Sequence, residues 1–590
     1  MASSPSPNAV RPYPELSLLA VLLGTVQGVV MTAAFTYIAL KLGFGLGGST
    51  VAAITGFVVL RGALGRRSIV ENNINQTVAS GINTASSGVV FTLPALFLLS
   101  RGHPELERIP YGPLVFAAVA GSLMGIVLII PLRKQMIEFE RLKFPSGMAV
   151  ATLLRSPGEG MLQGALLLGG SVLAAALTLM TSLHVLPEDL DFGYLVNAPP
   201  WLPIALYVSA ANFGAGLLSG KGGLPFALGG LLAWWVVAPI AVLSGWIPAD
   251  ATLPAAELPM WRADELYSQM LRPLGIGMLI GGALAGVVAA VPAVTGAMRS
   301  LAAAAAIARE KGVAADELNP RWVYLGTLGS FVGLTLAAWF ASDLGLGHSA
   351  LIAAVGSVWI GLAGIIVAQA SGHTDISPLS GLALIAVTLM YFLTGGDITA
   401  SILIGTTVCV AINQCGDMMG DLKTGHLVGA VPREQQLAQV LTSWIGPLIA
   451  IGVLALLWQS PASFGPESAG CTDPALTCLS APQAGALEGV LRALESADSA
   501  VDKYLAGAAI GGALSIFPIG GLGVLVGLAM YLPFSITLAY GIGNLVAMGL
   551  ERLYGGEWIG KRLVPFAAGL IVGEALTQLA AAAYAMYGGV

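Results

Sequence analysis

The stretch 68-SIVENNINQTVASGINTASSG-88 decides how the rest of the chain is interpreted. It lies between long apolar segments, yet more than half of its residues have polar side chains. In hydrocarbon each unsatisfied amide or hydroxyl group costs several kcal/mol, so such a segment is expected only inside a protein bundle or beside a watery cavity. Gly81 and Gly88 predict interruptions of its helix. Polar helices broken by glycine at membrane depth are typical of substrate sites in secondary transporters.

The composition is that of a membrane protein. Of the 590 residues, 56% are hydrophobic and only 10% are charged, whereas a soluble domain has about 25% charged residues. Apolar segments of 18 or more residues recur along the chain, and each is long enough to cross a hydrocarbon core of about 30 Å. The sequence therefore predicts an all-α fold, a polytopic transmembrane helical bundle of about 14–16 segments with broken or re-entrant helices.

Two sequence echoes predict an internal two-fold repeat. The tripeptide 74-INQ-76 recurs as 412-INQ-414, and each copy is followed by a polar run that contains glycine. Further along the chain after each tripeptide, a second pair of segments is similar: 147-GMAVATLLRSPGEG-160 resembles 543-GNLVAMGLERLYGGEW-558. Internal repeats are common in transporters, which bind substrate at the interface of the two halves. Whether the halves are parallel or inverted stays open.

The expected organisation is a disordered tail over 1–15, a first transmembrane half over 16–310, and a second half over 320–590 with a polar extramembrane loop over 459–500. Cys471 and Cys478 lie in that loop, either as a disulfide or as free thiols. Basic residues cluster in loops that the positive-inside rule assigns to the cytoplasm, which places the N-terminus inside. The side of the C-terminus stays open.

The second predicted half has its own polar segment, 408-VCVAINQCGDMMGDLKTGHLVGAVPREQQ-436. Asp417 and Asp421 are spaced i, i+4 and share a face if the segment is helical. Lys423 is near enough in sequence to neutralise one of them. A gate or coupling site is one interpretation, and a solvated cytoplasmic loop past a helix end is the other. Asp417 is nearer to the apolar run, which favours a functional role for it.

Glu574 is the only acidic residue in 565-PFAAGLIVGEALTQLAAAAYAMYGG-589. Burying its charge in a membrane costs at least about 2.5 kcal/mol, so it is a functional candidate by default. It is interpreted either as a proton carrier or as a neutral acid that is hydrogen-bonded across a helix interface. Glu71 has the same two interpretations, and Arg66 and Arg67 are close enough in sequence for a structural ion pair.

Other motifs narrow the function classes. Pro145-Ser146-Gly147 is expected to open a helix whose N-terminal dipole faces a carboxylate. The chain has no GxxxxGK[ST] phosphate loop, no GxSxG nucleophile elbow and no HExxH zinc motif. The five histidines are scattered, so no metal site is readable, and neither a cofactor nor a nucleic acid partner is expected.

Five motifs together resemble the oligopeptide transporter family, and they are spread in order over nearly the whole chain: ENNINQTVASG (71–81), PLRKQMIEFERLKFPSGMA (131–149), DLKTGHLVGA (421–430), MYLPFSITLAYGIG (530–543) and GLIVGEAL (569–576). The family pattern EN-x-x-x-QT matches Glu71, Asn72, Gln76 and Thr77. The NPG and KIPPR segments of the peptide-carrying branch are missing from this sequence. The Pro-Ser-Gly and Tyr-Leu-Pro segments look more like the yellow stripe-like branch, which carries metal chelates.

The resemblance implies a secondary transporter that imports oligopeptides or peptide-like small molecules with protons, by alternating access, in the cytoplasmic membrane of a prokaryote. A metal-chelate carrier is the alternative in the same class. A membrane-embedded hydrolase or a channel is the alternative of another class, although no catalytic set or pore ring supports it. A homodimer is compatible with a carrier of this size, but no sequence feature argues for one.

Substrate is expected between 71–88 and 412–426, with a proton on Glu71, Asp417 or Glu574. The expected substrate or coupling residues are Glu71, Asn72, Asn75, Gln76, Thr77, Asn413, Gln414, Asp417, Asp421, Lys423 and Glu574. The residues expected to break helices or gate the site are Pro145, Ser146, Gly147, Gly416 and Gly573.

Overall fold

Helices dominate the computed structural model, which describes residues 15–43, 48–66, 68–100, 109–155, 160–183, 185–198, 202–244, 266–286, 288–289, 317–341, 344–374, 379–460, 479–495, 501–517 and 521–588. Within these ranges two short strands, β1 (Asp189–Asp191) and β2 (Ala205–Tyr207), pair antiparallel with Leu190 opposite Leu206. The prediction of an all-α fold is confirmed.

Up to residue 289 the described helices are α1 (Leu18–Leu42), α2 (Ser49–Gly56), α3 (Ile69–Asn83), α4 (Ala85–Ser100), α5 (Tyr111–Ile129), α6 (Pro145–Arg155), α7 (Gly160–Ser182), α8 (Ala210–Ser219), α9 (Leu224–Leu232), α10 (Ala238–Leu243) and α11 (272–286). π-Helical turns lie at Phe57–Ala63, Lys134–Phe139, Ala233–Val237 and Tyr267–Leu271. Short 3-10 turns lie at Ile130–Leu132, Gly193–Leu195 and Gly220–Gly223.

From residue 317 onward the described helices are α12 (Pro320–Ala341), α13 (Leu346–Thr374), α14 (Leu379–Leu393), α15 (Ile398–Val428), α16 (Pro432–Thr442), α17 (Ile445–Gln459), α18 (Pro482–Glu495), α19 (Val501–Leu514), α20 (Leu522–Tyr531), α21 (Phe534–Tyr554), α22 (Gly556–Trp558) and α23 (Val564–Gly588). A π-helical turn at Ile559–Leu563 joins the last two.

Eleven helical segments in the described ranges are long and apolar enough to cross a membrane. Three shorter apolar helices accompany them, at Ser49–Ala63, Leu379–Leu393 and Leu522–Tyr531. The protein is therefore a multi-pass membrane protein. The predicted count of about 14–16 segments includes such short helices, because apolar composition alone does not separate a full crossing from a partial one.

The polar helix α3 lies with α4 and α15 inside the bundle. Nearly every residue of α3 and α4 is buried, and so are most residues of α15. In contrast, α7 and α12 expose apolar side chains such as Leu173 and Trp322, as lipid-facing helices do. The amides of α3 therefore lie among protein neighbours, as its composition predicts, because lipid offers them no hydrogen bonds.

The predicted interruptions at Gly81 and Gly88 are wrong. Both glycines lie inside helices, and a single irregular residue, Thr84, separates α3 from α4. The glycines instead allow close packing, because a Cβ at Gly88 would lie 2.6 Å from Val410 Cα and one at Gly81 would lie 3.0 Å from Gln439 Cγ. Small residues commonly serve helix contacts in membranes in this way.

Gly416 and Gly573 do not break helices either. Gly416 lies within the 31 residues of α15, and Gly573 lies within α23. A Cβ would lie 2.7 Å from Val367 Cγ1 at position 416 and 2.7 Å from Ser171 Cα at position 573, so both glycines admit a neighbouring helix. The interpretation of 416–426 as a solvated loop is also wrong, because α15 continues through it and most of it is buried.

Part of the expected extramembrane loop 459–500 packs inside the bundle as α18. Its residues Ala484, Leu487 and Leu491 form a buried apolar stripe, and α18 packs against α4. Cys471 and Cys478 lie outside the described residues. From the expected tail 1–15 the structure describes Glu15, whose Oε2 accepts a hydrogen bond from the Val431 N–H at 2.7 Å.

Candidate functional site

A cavity of about 450 Å³ lies between helices of the two predicted halves. This volume is in the range of small-molecule binding sites. Residues of α2, α3, α4 and α6 line it from the first half, and residues of α13, α14, α15, α18 and α20 line it from the second. The polar side chains in the lining are Ser49, Asn83, Thr84, Ser87, Ser146, Ser371, Ser380, Asn413, Asp417, Asp421, Thr424 and Gln483.

One face of α15 supplies a stripe of lining residues. Each of them has another member three or four positions away, which places them above one another on a helix. The prediction that Asp417 and Asp421 share a face is confirmed, and both border the cavity. The members of the stripe are Asn413, Gly416, Asp417, Gly420, Asp421 and Thr424.

Amide side chains hold Asp421 from two neighbouring helices. Gln76 Nε2 donates to Oδ1 at 2.5 Å, and Gln439 Nε2 donates to Oδ2 at 2.9 Å. Gln435 Nε2 donates to the Asp421 backbone carbonyl and to Thr77 Oγ1, both at 2.9 Å. Both carboxylate oxygens of this buried residue therefore have donors, and both donors are neutral.

Asp417 is held on one side only. Its Oδ1 accepts a hydrogen bond from Ser80 Oγ at 2.7 Å, while its buried Oδ2 has no hydrogen-bond partner. Among the described residues no basic side chain forms an ion pair with either aspartate. Lys423 follows Asp421 by two positions and so lies on another face of α15, away from the cavity lining. A buried carboxylate and a partly buried one thus lie one helical turn apart, with no basic partner among the described residues.

The two INQ segments bond to each other's helix. Gln76 donates to α15, and in return Gln414 Nε2 donates to the Gly81 carbonyl of α3 at 2.8 Å. Asn413 Nδ2 donates to the Thr84 carbonyl at 2.8 Å. The sequence echo therefore corresponds to a reciprocal set of amide hydrogen bonds between the two predicted halves.

Asn72 and Asn75 hold α3 against α2. Asn72 Nδ2 donates to the Ala53 carbonyl at 3.1 Å, and Asn75 Nδ2 donates to the Ala52 carbonyl at 3.2 Å. Both asparagines lie outside the described cavity lining. Their contacts position the polar helix and do not reach the cavity.

Four described helices begin at the cavity. Ser49, Ser146, Ser380 and Gln483 line it, and each is the first or second residue of its helix, α2, α6, α14 or α18. The N-terminal ends of helices carry partial positive charge and favour anionic groups. α6 begins at Pro145, and Gly147 also lines the cavity.

Glu71 is part of a structural ion pair. Its Oε1 lies 2.5 Å from Arg66 Nη1, and Ser17 Oγ donates to the same oxygen. Glu71 is outside the described cavity lining, and Arg67 lies outside the described residues. The contacts support the structural ion pair with Arg66 that the sequence spacing allows.

Glu574 is buried with a lysine that sequence reasoning missed. Lys41 Nζ, at the end of α1, lies 2.6 Å from Glu574 Oε1. Ser209 Oγ at 2.8 Å and the Ala211 N–H at 2.9 Å also donate to the carboxylate. Lys41 Nζ lies 4.5 Å from the centre of the Tyr207 ring, a cation–π distance. A lysine partner supports a charged Glu574 rather than a neutral one.

Sequence reasoning did not single out several other residues of the site. Gln435 and Gln439 belong to 432-PREQQLAQ-439, where amides four positions apart lead into an apolar segment; this spacing was a usable signal. Lys41 was overlooked because a basic residue followed by Gly43 is the usual end of a helix. Asn83, which lines the cavity, did not stand out among the many polar residues around it.

The chain matches the family model described as "OPT oligopeptide transporter protein" over residues 15–585. A Haemophilus influenzae protein named "Putative oligopeptide transporter" is 27% identical, over 92% of this chain and 91% of that protein. A Saccharomyces cerevisiae protein with the same description is 23% identical, over 63% of this chain and 67% of its own length. A protein of Oryza sativa subsp. japonica described as a probable metal-nicotianamine transporter is 25% identical, over 72% and 68%. The chain therefore belongs to the oligopeptide transporter family, and it is a membrane transporter rather than an enzyme.

Proposed function

We propose that this protein imports oligopeptides or peptide-like small molecules together with protons across a cytoplasmic membrane, by alternating access, with its N-terminus inside. The observation that carries the proposal is the pair Asp417 and Asp421, which border the cavity without a basic partner in the described ranges. Two neighbouring buried carboxylates resist simultaneous ionisation. The pair therefore retains one proton, and this proton travels with the cargo.

The other two expected proton acceptors are less suited to this role. Glu71 is paired with Arg66, and Glu574 is paired with Lys41. A carboxylate next to a cation is already neutralised, and protonation of Glu574 would leave the buried Lys41 without its partner. We assign these two acids to holding helices together.

The amides around Asp421 are suited to both of its protonation states. Gln76 and Gln439 donate N–H groups to the carboxylate, while their own Oε1 atoms are buried without a hydrogen-bond partner. A carboxamide can rotate to present its oxygen in place of its nitrogen, and a protonated carboxyl group has one O–H to donate. The same glutamines can therefore hold Asp421 before and after it takes up a proton.

The cargo lies in the cavity, with its negative end toward the helix starts. The beginning of α6 at Ser146 and Gly147 faces this space, and a helix N-terminus favours a carboxylate. A peptide supplies that group at its C-terminus. A metal chelate is the second candidate, because a relative described as a metal-nicotianamine transporter aligns over 72% of the chain.

The test is uptake into proteoliposomes with an imposed proton gradient, in which labelled trialanine, glutathione and an iron chelate are compared side by side. We expect gradient-dependent accumulation of trialanine that a protonophore abolishes. Asp421→Asn should still exchange cargo across the membrane but should no longer accumulate it. Asp191→Asn, in the exposed strand β1, is the matched control and should behave as wild type.

Two outcomes would count against the proposal. If Asp421→Asn accumulates trialanine at the wild-type level, the transported proton is not carried by this pair of aspartates. Uptake of the chelate alone would replace peptides by the second candidate.

A further inference from the structure

We infer that the cavity binds the protonated amino group of its cargo, with Asp417 as the counter-charge and Asn83 and Asn413 as further hydrogen-bond acceptors. The inference rests on the proposed function and narrows its substrate class. The cargo then has a free primary amine, as a peptide with an unmodified N-terminus does, and a blocked amine excludes it.

The charge of the lining is the first reason. Among the described lining residues two are carboxylates and none is basic. The hydrogen bonds to their carboxylate oxygens come from neutral side chains, among them Gln76, Gln439 and Ser80, and so leave the negative charge in place. A negative charge that stays at the cavity attracts a positive group on the ligand, and more strongly inside a protein than in water.

Unused hydrogen-bond acceptors are the second, independent reason. Asn83 is only 4% exposed, lines the cavity, and has no hydrogen-bond partner for its Oδ1. Asp417 Oδ2 is likewise buried without a partner. Asn413 uses its Nδ2 on the Thr84 carbonyl, so the group that it has left for the cavity is its oxygen.

A primary ammonium matches this set of atoms. It has three N–H donors and no acceptor, and the cavity offers three oxygen atoms, one of them charged. Hydrogen bonds in which one partner is ionised are the stronger kind. An acetylated amine keeps a single N–H and loses its charge, so it cannot satisfy the same three oxygens.

The inference also assigns a different role to each aspartate of the pair. With the ammonium on the unpartnered Oδ2 of Asp417, the retained proton lies on Asp421, whose two oxygens are held by glutamines. Cargo and proton then occupy different carboxylates. Both are needed to neutralise the pair before the carrier reorients.

The test is competition against labelled trialanine, on full-length protein in nanodiscs. N-acetyl-trialanine, with its amine blocked, should compete about 10- to 100-fold less well than trialanine, the range expected for losing a hydrogen bond to a charged group. Trialanine amide, which keeps the amine and lacks the carboxylate, serves as the comparison and should compete better than the acetylated peptide. Exchange of sodium for potassium should leave trialanine binding unchanged.

Two variants locate the amine. Asp417→Asn should weaken trialanine binding by about 10- to 100-fold while changing the weak binding of N-acetyl-trialanine little. Asn83→Leu should act in the same direction with a smaller effect, and it guards against the case in which Asp417→Asn does not fold. Asp191→Asn should bind as wild type, and size-exclusion chromatography should show all three variants to be monodisperse.

The outcomes separate this inference from the proposed function. If trialanine is taken up with protons but the acetylated peptide competes equally well, the amine site is wrong and the transport function stands. If trialanine binding requires sodium, an inorganic cation occupies the site and the inference is also wrong. If no peptide of either kind binds, the proposed substrate class fails, and the amine site fails with it.

Discussion

Gln76 in α3 donates a 2.5 Å hydrogen bond to Asp421 in α15, across 345 positions of sequence. It joins the two predicted halves next to the cavity, at a carboxylate that has only neutral donors. Helix α3 tolerates its many amide side chains because groups such as Asp421 form hydrogen bonds with them inside the protein. We therefore expect the contact between these two residues to contribute to stability and to the proposed function.

A double-mutant cycle tests that contact. Gln76→Leu should lower the free energy of unfolding by about 0.5–3 kcal/mol, the range that covers hydrogen bonds to a protonated and to an ionised carboxyl group. In an Asp421→Leu background the same change should cost much less, because the acceptor is gone. The measurement is chemical unfolding in detergent.

Gln414→Leu is the matched control for this cycle, since Gln414 holds the corresponding position of the second INQ segment and donates to the Gly81 carbonyl instead. Its cost should be equal in both backgrounds. Equal costs for Gln76→Leu in the two backgrounds would contradict the contact.

The buried pair of Lys41 and Glu574 makes a second prediction. Lys41→Met or Glu574→Met alone leaves an uncompensated charge and should destabilise the protein by about 3–5 kcal/mol. The double variant should regain most of that loss, because both charges leave together. Thermal unfolding in detergent measures this. Lys561→Met, which removes an exposed pair with Glu557, should leave the unfolding temperature unchanged, and a double variant as unstable as the singles would rule out the pair.

Two adjacent glycines in α7 provide a packing test. An alanine Cβ at Gly170 would overlap the Phe566 carbonyl oxygen of α23, whereas at Gly169 no described atom lies within 4 Å. Gly170→Ala should therefore cost about 1–3 kcal/mol, as overpacking does. Gly169→Ala should be neutral or slightly stabilising, since alanine is the better helix former. Equal unfolding temperatures for the two variants would contradict the contact between α7 and α23.

Cysteine labelling tests whether cargo occupies the cavity. Ser380→Cys places a thiol in the lining, so a small methanethiosulfonate reagent should label it, and bound trialanine should slow the labelling. Ser122→Cys, at a fully buried position outside the described lining, should react slowly with or without trialanine. Labelling of Ser380→Cys that trialanine does not change would place the cargo elsewhere.

The local sequence pattern was sufficient to predict the helices and one face of the candidate site. The apolar segments predicted a helical bundle, and the i, i+4 spacing of Asp417 and Asp421 predicted their shared face, because both depend only on neighbours in sequence. Helix α18 was missed, since the polar average of 459–500 hides the apolar spacing of Ala484, Leu487 and Leu491.

Glycines and distant partners could not be predicted in the same way. Gly81, Gly88, Gly416 and Gly573 were expected to break helices, but in a membrane glycine also marks the place where another helix approaches closely. Whether a glycine breaks its helix or admits a neighbouring one depends on which helix packs against it, and the local sequence does not determine that. Lys41 is the clearest case, because its partner lies 533 positions away.

That separation has a consequence for biogenesis. Chains are synthesised from the N-terminus, so α1 meets the membrane long before α23 exists. Throughout that interval Lys41 is a cation without its carboxylate, at the end of an apolar helix. Synthesis of α23 supplies Glu574, the carboxylate that pairs with Lys41. A chain that stops short of α23 keeps Lys41 without the carboxylate that pairs with it in the complete fold.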